Sequence, residues 1–183
     1  MNGLAYRFQA ADCYHRQYIA SVDHAGNSPR SVERYNQESY LFAFFTTALS
    51  TLECTCYALS AMGALILPGE FRMSTDDERS KICIRSTQRG YKANFREEAV
   101  TACLDSLVSD VRLKTLSSVR NVLVHRVAPP RHFYRGGDRD GEADWGDFAI
   151  PLNRETTGEY REWLGTAVTS LVDGAAAFAQ TQL

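Results

Sequence analysis

The chain has 183 residues, 44% of them hydrophobic and 23% charged, enough for a substantial core in what reads as one domain spanning 1–183. A net charge of −2 excludes a protein that coats nucleic acid over its whole surface, and leaves room for a local basic site. The start has no basic segment followed by an apolar run, so no secretory signal is read. The five cysteines form no Cys-x-x-Cys pair. They are expected to be reduced thiols of a cytoplasmic protein, mostly filling the core.

In chain order, the spacing of Leu4, Phe8, Ala11, Tyr18 and Val22 predicts a first helix over 4–22. His15 and His24 read as surface or packing histidines, and the Asp23 to Pro29 turn formers read as a linker, so that 1–30 precedes a core over 31–183. A long second helix is predicted over 32–67, with apolar or small residues at 41, 45, 48, 52, 56, 59, 63 and 66, ended by Pro68-Gly69. Its 41–67 part carries one formal charge, Glu53, and so resembles a membrane span in length. A mid-run carboxylate among threonines and serines favours a helix buried in protein, and no membrane is expected as a partner. Glutamate inside a buried helix is costly unless paired or neutral.

Ser74-Thr75-Asp76-Asp77-Glu78 predicts a capped helix start, with a short helix to about Arg85 broken near Gly90. Asn94-Phe95-Arg96-Glu97 predicts another cap, opening a helix that carries Val100, Leu104, Leu107 and Val111. A break is expected between Ser109 and Ser117. Next come Leu116, Val119 and Leu123 at helical spacing, on a segment that also carries Arg120, Asn121 and His125. At about 100° per residue, Asn121 and His125 share a face, while Arg120 stands about 140° from His125 and must curl its side chain towards it. A cation, an amide and an imidazole clustered this way can handle a phosphate.

Pro129-Pro130 ends that helix, and 131–151, with four glycines, is expected to be a long loop or small hairpin turning at Gly136-Gly137 and Asp140-Gly141. Six basic residues and no acidic ones lie within 111–135, whereas 136–147 has five acids against Arg139. Arg126, Arg131, His132, Tyr134 and Arg135 are therefore candidates to grip a phosphate backbone and stack on a base. The plainer reading is a solvated loop whose two halves pair with each other. A last helix is predicted from about Thr156, boxed by Glu159, with the apolar face Tyr160, Leu164, Ala167, Leu171, Ala175 and Phe178.

The run Arg120-Asn121-Val122-Leu123-Val124-His125 resembles the Arg-polar-x-x-x-His signature of the HEPN superfamily. That resemblance implies an all-α antiparallel helical bundle of about five helices, with the irregular segment before the last. It also implies a metal-independent endoribonuclease without cofactor, of the kind found in toxin–antitoxin, antiviral and RNA-processing systems. Arg120, Asn121 and His125 would be catalytic, and Glu53 would support them by pairing with Arg120. The partners implied are single-stranded RNA or tRNA, a second copy forming a composite site, and an antitoxin or regulatory protein. Some toxins of the superfamily carry a tyrosine two residues after the histidine, where this chain has Val127. Two alternatives stand beside this: a non-catalytic module for dimerisation or docking, and a nucleotide-binding regulatory domain. No Gly-rich phosphate loop, nucleophile elbow or metal-ligand spacing points to another enzyme class.

Overall fold

The computed structural model describes residues 3–125, 129–146, 148 and 150–182, with only the backbone of His125. Among these, seven α-helices and one small sheet make a mostly helical protein of the all-α class. The helices are α1 (Gly3–Ala25), α2 (Ser31–Ile66), α3 (Asp76–Ser80), α4 (Ile84–Asn94), α5 (Ala99–Ser109), α6 (Val111–His125) and α7 (Arg154–Gln182). The strands β1 (Arg131–Phe133), β2 (Ala143–Trp145) and β3 (Ile150–Pro151) form an antiparallel sheet in the order β1-β2-β3. The chain divides into two compact units, residues 1–49 with 114–163 and residues 50–113 with 164–183.

Seven helices exceed the expected number of about five, and the predicted boundaries between residues 80 and 98 move. Thr75 caps α3 through a capping box with Glu78, as the acids there foretold. The helix stops at Ser80, however, and Cys83 caps a new one by accepting from the Ser86 amide. This α4 runs straight through Gly90, where a break was expected, and ends on Asn94, read from sequence as the next cap. Glu98 occupies that cap position, without a side-chain bond. The break before the motif helix falls at Asp110, inside the predicted window; its carboxylate accepts from the Arg112 amide (2.8 Å). Asn153, not Thr156, caps α7, accepting from the Thr156 amide at 3.1 Å.

In the first unit, the core joins Ala11, Tyr18 and Val22 of α1 with Leu41, Phe44, Phe45 and Ala48 of α2. Trp145 of β2 closes on it, its ring 5.9 Å from that of Phe45, which also meets Tyr160 at 5.5 Å. The sheet is thus packed onto α2. Its β1–β2 turn uses left-handed backbone at Gly136, Gly137 and Gly141, the positions that the turn signals marked. His15 is a packing histidine, with Nδ1 3.0 Å from Thr157 Oγ1 and its ring 6.3 Å from that of Phe44.

In the second unit, Leu52, Cys56 and Leu59 of α2 pack with Tyr91, Val100, Leu104, Leu171 and Phe178. Phe71, Tyr91, Phe95 and Phe178 form one aromatic cluster with centroids 4.8 to 5.9 Å apart. Gly63 and Gly90 flank the Phe71 ring so closely that a Cβ would come within 2.7 Å and 2.8 Å of it. Gly90 is therefore a seat for an aromatic ring inside a helix, not a helix breaker. Of the five thiols only Cys56 is buried, which corrects the expectation of cysteines as core filler; burial pushes its thiol up to about 12.

By length and composition α2 is able to cross a membrane. Of its eight periodic positions, Leu41, Phe45, Ala48, Leu52, Cys56, Leu59 and Gly63 are buried inside the protein. Glu53 is exposed: one step beyond Leu52 turns about 100° away from that stripe.

Two tests follow from this packing. In an unconstrained helix Gly→Ala stabilises by up to about 1 kcal/mol. Gly90→Ala is expected to destabilise in urea unfolding by roughly 1–3 kcal/mol, because the methyl group must displace Phe71; a stabilised variant would contradict the close approach. Burial, opposed by Asp12, lowers the His15 imidazole below its ordinary 6.5. The fold therefore favours the neutral ring, and this stability is present above pH 6.5 and lost as pH falls through the lowered value. His15→Gln should remove that part of the acid-side loss in a series of thermal unfolding curves, and an unchanged pH dependence would contradict it.

Candidate functional site

The motif residues lie on the last turns of α6. The buried side of that helix is taken by Leu113, Leu116 and Val119, with Leu123 half-buried. Asn121 is exposed and Arg120 half-buried. Because α6 is continuous to His125, the one-turn relation of Asn121 and His125 holds for the backbone. The side chain of His125, and Arg126 with it, lie outside the described residues. Arg120 belongs to the first unit and Glu53 to the second.

The basic segment that follows is sorted by burial. Arg131, read as an RNA-gripping cation, is instead fully buried, its side chain 0% exposed. Strand alternation points it inward from β1, where Nη1 donates to Gln37 Oε1 at 2.7 Å. Its Nη2 stands 2.7 Å from Glu38 Oε1, an ion pair without the alignment of a hydrogen bond. Trp145 Nε1 donates to the other Glu38 oxygen at 3.3 Å, and Gln37 Nε2 donates to the Gly26 carbonyl at 3.0 Å. Beside this group, Tyr18 OH is buried with no hydrogen-bond partner among the described residues. Its phenol is pushed well up by burial and by Glu38, against the pull of Arg131.

Tyr134 is engaged as well. Its hydroxyl donates to Asp144 Oδ2 (2.9 Å), and the Arg139 guanidinium lies over its ring at 3.6 Å. Arg139 donates to Glu142 (2.6 Å) and Asp144 (3.0 Å), contacts that raise its already high pKa. Two of the acids of this segment are thus met by Arg139 of the same half, and only the Tyr134 hydroxyl bonds across to Asp144, while Arg131 of the basic half pairs with Glu38 of α2; the plainer reading of two halves neutralising each other is not what these contacts form. His132 and Arg135 are exposed. Phe133, on the same side of β1 as Arg131, is capped by the Arg34 guanidinium 5.7 Å from its centroid.

Gln37, Glu38 and Asp144 were not singled out from sequence. A signal existed for Gln37, which continues the 41, 45, 48 stripe one turn towards the start of α2. Asp144 had none, since it is one of five acids in a loop-like stretch. Among the described residues no group of three or more His, Cys, Asp and Glu side chains is arranged to hold a metal ion.

Compared with known proteins, the chain matches no family model, no curated protein and no solved structure.

Removing one partner of a buried ion pair leaves the other charge uncompensated, at a cost of about 3–5 kcal/mol. Arg131→Met should destabilise by that order in urea unfolding, and adding Glu38→Met should recover much of the loss. Strictly additive single and double variants would contradict the pairing.

Proposed function

We propose that this protein is a HEPN-like, metal-independent endoribonuclease that works as a homodimer. The observation that carries the reading is the placement of Arg120, Asn121 and the His125 backbone on one continuous helix. The core side of that helix is already filled by Leu113, Leu116 and Val119. Asn121 is exposed, so this residue of the motif is open to solvent.

The chemistry follows from the residue types. The ribose 2′-hydroxyl attacks its own phosphodiester, so the substrate itself supplies proximity. His125 takes the 2′ proton, the work an imidazole titrating near neutrality can do. The planar Arg120 guanidinium stabilises charge on the phosphorane oxygens. Asn121 orients His125 or the phosphate. The products are a 2′,3′-cyclic phosphate and a 5′-hydroxyl. A facing copy would supply a second motif, and an antitoxin-like protein is the kind of partner that would hold such activity in check. With Arg131 in the core and Tyr134 held by Asp144, the RNA grip of the predicted segment falls to His132 and Arg135, with Arg126 outside the described residues.

The test is cleavage of single-stranded RNA and tRNA in EDTA. Arg120→Ala and His125→Ala, matched to the wild type for folding and dimer content, should each lose roughly 100-fold or more. Cleavage that survives His125→Ala, or a wild type inert on every RNA, would overturn the reading; the inert wild type would favour the docking module.

A further inference from the structure

The first three turns of α2 carry an apolar face that the packing of their own unit does not use. Val32, Tyr35 and Phe42 are 70%, 73% and 42% exposed, and Ser39 between them is exposed as well. At about 100° per residue these four side chains lie within roughly an 80° sector. That sector stands opposite the side of the helix that buries Gln37, Leu41, Phe44 and Ala48. A single exposed apolar residue is ordinary, whereas three large ones on one helix face make a patch of the kind that marks an interaction site.

The face holds a recess beside a protruding ring. Ser31, Arg34, Tyr35, Glu38, Ser39 and Phe42 line an open hollow of about 560 Å³, all of them in the first unit. The spacing of the exposed residues says what covers it. Positions 32, 35, 39 and 42 are separated by steps of three, four and three, which read the same from either end about a midpoint at 37. Two such helices packed antiparallel across a two-fold axis at that midpoint set Val32 against Phe42 of the second copy, and Tyr35 against its Ser39. Each contact then joins a large ring to a smaller side chain, and each occurs twice, as an isologous interface requires.

The charges agree with the same axis. Arg34 and Glu38 lie on one flank of the face, and Arg34 falls two residues from direct opposition to Glu38 of the second copy, about 3 Å along the helix. The Glu38 side chain is 20% exposed; Arg131 and Trp145 occupy part of its carboxylate, which keeps further lone pairs for another donor.

We propose that this face of α2 is a homodimer surface, on which α2 of a second copy packs antiparallel. The proposal gives a place to the second copy that the ribonuclease reading calls for, and takes only that expectation from it. The seam over 32–42 is about 16 Å long at 1.5 Å per residue, so it belongs with the small interfaces and the dimer dissociates on dilution.

The experiment is analytical ultracentrifugation over a concentration series of wild type, Tyr35→Asp, Ser39→Tyr and the double variant Tyr35→Ser/Ser39→Tyr. Thermal unfolding of each checks the fold, which substitutions at exposed positions should leave intact. Wild type should show a reversible monomer–dimer equilibrium. Tyr35→Asp removes a central aromatic anchor and should weaken dimerisation roughly 30-fold or more. Ser39→Tyr sets ring against ring at both symmetric contacts and should weaken it in the same direction. The double variant again sets a ring against a small side chain at both, and should recover most of that loss. A wild type that is monomeric throughout, a dimer indifferent to both single substitutions, or a double variant no better than Ser39→Tyr alone would overturn the proposal. A dimer that behaves as described but cleaves no RNA removes the ribonuclease reading and leaves the surface standing, and a cleaving protein that dimerises without these residues does the reverse.

Discussion

The first unit is built around a buried cation. Arg131 enters the protein from the first residue of β1 and is met from α2 by Gln37 and Glu38, while Trp145 of β2 donates to the same carboxylate. A guanidinium taken fully out of water is tolerated only when charge and hydrogen bonds replace what water gave it. That requirement ties the sheet to the start of α2 and fixes the inward and outward sense of β1. Gln37 extends the anchor to the turn after α1 through the Gly26 carbonyl. Once Arg131 points in, His132 points out, its ring over Gly146 and its Nδ1 towards Asp144. The inward and outward sense of β1 follows from the one buried charge.

That constraint also explains where the sequence was legible. The long α2 and its stripe were readable because burial repeats at helical spacing, and Leu41, Phe45, Ala48, Leu52, Cys56 and Leu59 all proved buried. The capping box at Thr75 and the turn glycines were readable because each rests on local backbone chemistry. Gly90 misled because its role is tertiary: the ring of Phe71 lies against it, and no local pattern encodes that contact. Glu53 is exposed because the helix carrying it is buried on one side only. The fate of Arg131 was illegible because its partners lie 94 and 93 residues away at Gln37 and Glu38. A basic stretch in a sequence looks the same whether its cations face solvent or the core.

At the candidate site, the Arg120-Asn121 pair and His125 were readable as a spacing on a helix, and α6 is that helix. The Asp144–His132 pair was not, because cross-strand register brings together residues whose separation carries no periodic signal. Of the acids of the turn, Glu142 and Asp144 are spent on Arg139 and Tyr134.

The central claim is that the substrate's own 2′-hydroxyl is the nucleophile. The most direct measurement uses an RNA cleaved at one defined position and the same RNA with a single 2′-deoxy nucleotide immediately 5′ of that bond. Both are incubated with the wild-type protein in EDTA, and the ends are read by mass spectrometry. Cleavage of the parent to a 2′,3′-cyclic phosphate, with the deoxy substrate bound but intact at that position, is the result the account predicts. Scission of the deoxy substrate at the same bond, or parent ends without the cyclic phosphate or its opened product, would contradict it.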